Sequence, residues 1–280
     1  MRPTGGLGRR ILSNGWKQAL LVLFSFLCLF PLYYLVVTAF KSQGEYIRNL
    51  FGIPLGPIRS NFAAVFRGGR FLRWVANSIL LTAGSVIAAL AIALAAAWAF
   101  AKMEFRGREA IFGLMLILMI IPPVVMVIPL FKIMIALKML NTYHSVILIY
   151  TGLTLPFSIY LLASFFRTVP GAIIDSARMD GCKDLRILAS IAVPLSAPAI
   201  ITIVLVNALW VWNELLVAVI FLQKDELKTL MVGLTVFKSR YNLDIPVTMA
   251  GLTLATIPML ALYFAGQKYF IKGLVAGAVK

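Results

Sequence analysis

Few side chains in this sequence can do chemistry, and they are not grouped. His144 is the one histidine, and the two cysteines, Cys28 and Cys182, fall in an apolar block and a polar loop. That spacing supports neither a disulfide framework nor a metal site. A lone histidine at the edge of an apolar block reads as an ordinary interfacial residue. Glu214, in the run Trp210-Val211-Trp212-Asn213-Glu214, is the one acidic residue well inside an apolar block. A carboxylate so placed either serves a substrate or gating pathway or pairs within a bundle. Both readings stand, and Asn213 and Glu214 are pathway candidates. No Ser-His-Asp set or pair of carboxylates inside a block supports a membrane enzyme, and there is no G-x-x-x-x-G-K-[ST] run to form a P-loop. The sequence predicts a chain with no catalytic residue, no metal and no cofactor of its own.

The densest polar chemistry lies in the segment from Arg167 to Pro198. Thr168 is placed to cap a helix with Pro170 in its first turn. Ile173, Ile174 and Ala177 then fall on one face, with Asp175, Ser176 and Asp180 polar. Gly181 interrupts the helix. A second amphipathic stretch has Leu185, Leu188 and Ile191 three apart, with Lys183, Asp184 and Arg186 off that face. Pro194 and Pro198 end it. The spacing predicts a short helix, a glycine turn and a second helix. Its apolar face packs either on the rest of the chain, as an interfacial loop, or on another protein.

The surroundings of this loop are apolar. The chain has 280 residues, 61% of them hydrophobic and 13% charged, where soluble domains carry about a quarter charged residues. Mean hydropathy is +0.96. Six apolar blocks stand out, at Gln18–Phe40, Asn77–Ala101, Ile111–Leu130, Val146–Phe166, Ala199–Leu222 and Thr248–Ile271. Each is near the roughly 20 residues that cross a bilayer as a helix, and in lipid the backbone must satisfy itself, which selects helices over open strands. The expectation is an all-α membrane protein of six transmembrane helices, spanning 18–271, with tails at 1–17 and 272–280 and the polar loop 167–198 between the fourth and fifth. The basic N-terminus resembles a signal peptide, but the first block is too long for a signal core, so it reads as a retained anchor.

Within the blocks, Pro122, Pro123 and Pro129 fall in the third, Pro156 in the fourth and Pro258 in the sixth. They read either as packing irregularity or as bends that shape a pathway, and Pro122 and Pro123 join the pathway candidates. Gly84, Ala93, Ala95, Ala96 and Ala97 predict a second helix near the bundle interior. The formal charge of +16 reflects basic residues at block ends, where they reach lipid headgroups. No basic face with interleaved aromatics suggests nucleic acid. Lysines and arginines divide almost evenly between the two sides, so orientation leans only slightly toward a cytoplasmic N-terminus.

Asp175-Ser176-Ala177, Gly181, Ile191 and Pro194 match the spacing of the loop that marks membrane subunits of ATP-driven, binding-protein-dependent importers. Phe165 to Pro170, Phe105-Arg106-Gly107-Arg108 and Trp212-Asn213-Glu214-Leu215 resemble the carbohydrate branch of that family. The tail Lys272 to Lys280 is similar to the end of MalG-type maltose permeases. Asp175 stands where the family usually has Glu, and Ser176 and Cys182 where it has Ala. The resemblance implies a MetI-like permease fold in a prokaryotic cell membrane and a cytoplasmic coupling helix carrying Asp175, Ser176, Ala177, Asp180, Gly181, Ile191 and Pro194. It implies two partner ATPase subunits that bind ATP and Mg, a second permease subunit and an extracytoplasmic binding protein. It further implies an ATPase contact at Gly273, Gly277 and Lys280, and a binding-protein contact at Phe237, Tyr241 and Asn242. The implied cargo is a sugar or oligosaccharide, with a phosphorylated or other polar solute such as glycerol phosphate as the alternative. A secondary carrier would need several intramembrane charges and an internal repeat; the sequence has one such acid and no obvious repeat.

Overall fold

The computed structural model describes the backbone of residues 6–67, 69–240 and 244–278, and the side chains of 15–67, 69–235 and 244–268. Among the described residues the chain is helical and without strands. In order the helices are α1 (Gly6–Ala39), α2 (Gln43–Arg48), α3 (Ser60–Phe66), α4 (Arg70–Lys102), α5 (Arg108–Leu118), α6 (Pro123–Ala136), α7 (Tyr143–Thr168), α8 (Gly171–Met179), α9 (Asp184–Ile187), α10 (Val193–Leu195), α11 (Ala197–Asn213), α12 (Leu216–Phe221), α13 (Leu230–Arg240) and α14 (Ile245–Ala278). Four stretches are each long and apolar enough to cross a membrane: Gly15–Ala39, α4, α7 and Ile245–Lys268. Two bent pairs, α5 with α6 and Asp184–Leu195 with α11, bring the number up to six. The first and last helices run past the apolar blocks that mark them, beginning at Gly6 and ending at Ala278.

The chain divides into two compact units, 1–67 with 236–254, and 68–235 with 255–280. In the first, buried Lys41 closes the connection after α1 by donating to the carbonyls of Asn49 (2.7 Å) and Leu50 (3.2 Å). Asn61 Nδ2 donates to the carbonyls of Ala39 and Lys41, both at 2.8 Å. The Asn61 bonds satisfy carbonyls that the end of α1 leaves open, and the Lys41 bonds do the same at the end of α2.

The second unit is organised on α4 and α7, which run parallel and share the most extensive contact between helices. Near their starts the Tyr143 hydroxyl donates to Asn77 Oδ1 at 2.8 Å. Near their ends the Trp98 and Phe166 rings meet edge-on, 5.9 Å between centroids. α4 turns Ala89, Ala93 and Ala97 inward, spaced four apart on one face and fully buried, and such small residues let membrane helices approach closely. Ala95 is exposed and Ala96 half-buried, so not every alanine of the run faces the interior. α7 is the more interior helix, with 56% of its spanning window buried against 33% for α4. α11 runs antiparallel to α7, and Asn207 Nδ2 donates to Ser158 Oγ at 2.8 Å between them.

The third apolar block is not one straight span. α5 and α6 meet at 101°. Neither Pro122 nor Pro123 can donate a helical hydrogen bond, and the residue before a proline is pushed out of the helical region. The last amides of α5 tighten instead, with Met119, Ile120 and Ile121 donating to the carbonyls of Leu116, Ile117 and Leu118. Pro122 then precedes α6 and Pro123 opens it.

Candidate functional site

The polar loop forms where α7 gives way to α8. Thr168 does not cap α8 as its position suggests; its hydroxyl donates back to the Phe165 carbonyl at 2.7 Å and finishes α7. Val169-Pro170 is the joint, and Pro170 takes the N-cap position of α8. Ile174 and Ala177 on the inner face are buried, while Ile173 is exposed.

Gly181 ends α8 in the left-handed region at φ +79°. Its amide donates to the Arg178 carbonyl at 2.9 Å, and the Cys182 amide to the Ala177 carbonyl at 3.0 Å. This paired arrangement is the Schellman ending that glycine supports at no steric cost. The chain then enters α9, a π turn at Leu188–Ala192, and α10. The buried residues here are Ile187, Leu188 and Ala192, whereas Leu185 is 78% exposed and Ile191 only half-buried. The expected Leu185, Leu188 and Ile191 face is therefore corrected. Three-residue spacing falls short of the helical turn of about 3.6 residues, so positions counted three apart drift off the face. Leu185 and Ile187 already differ within α9, before the π turn begins. Pro194 is exposed within α10, and helix resumes after it at 79° in α11.

The inner face has one destination. Ile174, Ala177, Ile187, Leu188 and Ala192 join a core with Ala93, Ala97 and Trp98 of α4, Phe112 of α5, Ile159, Leu162, Ala163 and Phe166 of α7 and Ile203 of α11. The loop thus packs on its own bundle and leaves its outer face free. That face presents Asp175, Ser176, Asp180 and Gly181, with Met179 88% exposed. Arg178 ties it together, bridging Asp184 at 3.1 Å and approaching Asp175 at 3.9 Å. The root of the loop is braced as well. Lys102 Nζ donates to the Val169 carbonyl at 2.7 Å, a cation on the C-terminal cap of α7, where the helix dipole favours it. The Arg167 guanidinium lies 5.0 Å from the centroid of the Phe112 ring.

At the opposite end of α7 the fifth block breaks. α11 stops at Asn213, Glu214 is extended, and α12 starts at Leu216. Each oxygen of the Glu214 carboxylate accepts from the Val217 amide (3.0 and 3.1 Å), and Oε2 also accepts from the Ala218 amide at 3.2 Å. Buried Tyr150 donates its hydroxyl to Oε2 at 2.7 Å. The acid thus caps the restarted helix and pins it to α7. Asn213 is exposed and donates to the Leu209 carbonyl; Pro122 and Pro123 are exposed at the other bend.

The connection after α12 is fastened along its length. Asn141 Oδ1 accepts from the amides of Gln223 (2.7 Å) and Lys224 (3.2 Å). Asn77 Nδ2 donates to the carbonyls of Glu226 (2.8 Å) and Lys228 (2.9 Å), and Ser78 Oγ accepts from the Leu230 amide at 2.9 Å. The backbone at Phe237, Gly273 and Gly277 is helical, but their surroundings lie outside the described residues, as do Tyr241, Asn242 and Lys280 entirely.

No motif in the sequence marks the roles of Lys102, Tyr150, Asn77 and Tyr143. Each is a polar side chain inside or at the edge of an apolar block, which is the available signal, but its partner is distant in sequence.

The family model described as binding-protein-dependent transport system inner membrane component matches residues 89–275. The diacetylchitobiose uptake system permease protein of Streptomyces coelicolor is 33% identical over 274 residues, covering 97% of this chain and 99% of its own length. The trehalose/maltose transport system permease protein of Thermococcus litoralis is 31% identical over 266 residues, covering 92% and 94%. A chain of a crystallised bacterial transporter that imports the acidic polysaccharide alginate superimposes with a TM-score of 0.84 at 25% identity, covering 96% of this chain and all of that one. With its six apolar blocks, its braced polar loop and these matches, the chain belongs to the family of binding-protein-dependent transport system inner membrane components.

Proposed function

We propose that this subunit forms part of the pathway of an ATP-driven importer for a sugar or oligosaccharide, and that the loop 167–198 is its coupling element. The carrying observation is the division of that loop into an inner face buried in the subunit's own core and an outer, exposed face of Asp175, Ser176, Met179, Asp180, Gly181 and Leu185. A lever must be fixed at one side and free at the other, and this loop meets both conditions. Two separate ATPase subunits bind ATP and Mg, dock on the free face and bias a bundle that alternates between outward and inward access. The subunit itself performs no catalysis. A second permease completes the pathway, with Pro122, Pro123, Asn213 and Glu214 near it.

In this reading the loop and the tails at 1–17 and 272–280 are cytoplasmic. Gly273, Gly277 and Lys280 touch the ATPase pair, while Phe237, Tyr241 and Asn242 face the binding protein. The cargo class rests on the relatives, whose names specify diacetylchitobiose and trehalose or maltose. The test has two arms. The binding protein encoded beside this subunit is screened by calorimetry against mono- and oligosaccharides and sugar phosphates, with tight binding of a neutral sugar expected. A single cysteine at Met179 is then crosslinked in membranes containing the ATPase, and an ATPase adduct is expected. Binding of sugar phosphates alone overturns the cargo; no adduct from an assembled complex overturns the docking.

A further inference from the structure

The turn from Gln223 to Thr229 is not a floppy connection. Gln223, Lys224, Asp225 and Glu226 are exposed at its tip. Its backbone is held from beneath by Asn77, which is 5% exposed and uses both Nδ2 hydrogens on the carbonyls of Glu226 and Lys228. The adjacent Ser78 takes the Leu230 amide, Asn141 takes the amides of Gln223 and Lys224, and Lys228 reaches Asp225. A turn pinned at so many points passes a push on it to what it is pinned to.

What it is pinned to is α4, and through the Tyr143 hydroxyl on Asn77 Oδ1, the first residue of α7. α7 then runs unbroken for 26 residues, roughly 39 Å at 1.5 Å per residue. At its far end Lys102 of α4 holds the Val169 carbonyl beside the joint to α8. The α4–α7 pair is therefore clamped by side-chain hydrogen bonds at both ends, and each clamp adjoins a different protruding element. Coupling between distant sites travels through such contiguous packed and hydrogen-bonded networks.

We infer that Asn77 and Tyr143 are positioning residues that make the turn Gln223–Thr229 the outer end of an α4–α7 strut whose inner end carries the polar loop. A binding protein seated on the turn is thereby felt at the ATPase docking face. This rests on the function proposed above.

The test measures ATP hydrolysis by the complete transporter in nanodiscs, with and without its binding protein loaded with the sugar found in the screen. Tyr143→Phe removes only the hydroxyl, and Asn77→Ala removes the clamp. In both, the ratio of stimulated to unstimulated hydrolysis at saturating binding protein falls about fivefold or more, the usual range of a coupling between sites, while the concentration giving half-maximal stimulation is unchanged. Loss of folded transporter scales both rates together and leaves the ratio intact. A wild-type ratio in both variants, or one restored by excess binding protein, overturns the strut, because a role confined to docking shifts only the half-maximal concentration. A wild-type transporter that shows no stimulation overturns the proposed function itself, and the inference with it.

Discussion

Tyr150 donates its hydroxyl to the Glu214 carboxylate across 2.7 Å, joining α7, the most buried of the four unbroken spans, to the break in the fifth apolar block. Glu214 also accepts the two amides that open α12, groups that a helix start otherwise leaves unpaired. Tyr150→Phe removes one hydrogen bond to a charged acceptor and costs about 1.5–3 kcal/mol. Glu214→Ala also strands two amides and costs more. Glu214→Gln, which keeps an acceptor for those amides, falls between wild type and alanine. Thermal unfolding of the purified transporter should give that order; alanine and glutamine variants of equal stability would remove the capping role.

Gly181 has a φ of +79° and open space beside its Cα, with no neighbouring side chain within 4 Å of where a Cβ would stand. The demand on this position is conformational. L-residues pay about 1–2 kcal/mol there, with asparagine penalised least. Transport per ATP should therefore fall in the order Asn, Ala, Val at position 181, with insertion unchanged. Wild-type coupling in Gly181→Val would sink the assignment.

Asp175 has a side chain 73% exposed and only a 3.9 Å approach to Arg178, so its substitution changes stability by less than about 0.5 kcal/mol. Asp175→Lys should nevertheless uncouple ATP hydrolysis from uptake, because it reverses the charge on the docking face. Asp184→Asn acts differently, since it breaks the 3.1 Å bridge that joins α8 to α9. Parallel measurement of unfolding temperature and sugar uptake separates the two.

Lys102→Met keeps the length and apolar stem of the side chain but releases the Val169 carbonyl. The joint between α7 and α8 then loosens, and uptake at a given rate of ATP hydrolysis should drop several-fold, while Lys102→Arg, which retains a donor, recovers most of it. Equal loss in both variants would mean that the site requires the shape of lysine and not its hydrogen bond.

Close packing sets a further expectation. A Cβ at Gly233 would lie 2.2 Å from Trp74 Cδ2, so Gly233→Ala forces α13 away from α4 at about 1–3 kcal/mol. Trp74→Leu in the same chain makes room and should restore part of the loss in a thermal-shift assay.

The sequence by itself determined that this chain crosses a membrane, because the length and composition of an apolar block are local properties set against bilayer thickness. It also determined the helix, glycine and helix plan of the polar loop, since a positive φ at Gly181 and a proline after α7 are short-range demands. Asp175, Ser176 and Asp180 were legible as exposed for the same reason. The tertiary structure decided what local periodicity cannot reach. Packing against the bundle put the buried face at Ile187, Leu188 and Ala192, and the double proline turned one block into two helices at 101°. Above all, it decided which polar side chains meet. Asn77 and Tyr143 lie 66 positions apart and Tyr150 and Glu214 lie 64 apart. Such pairs exist only because α4 and α7 run parallel and α11 returns against them, so that buried polar groups in an apolar surrounding find partners nowhere nearer in the chain.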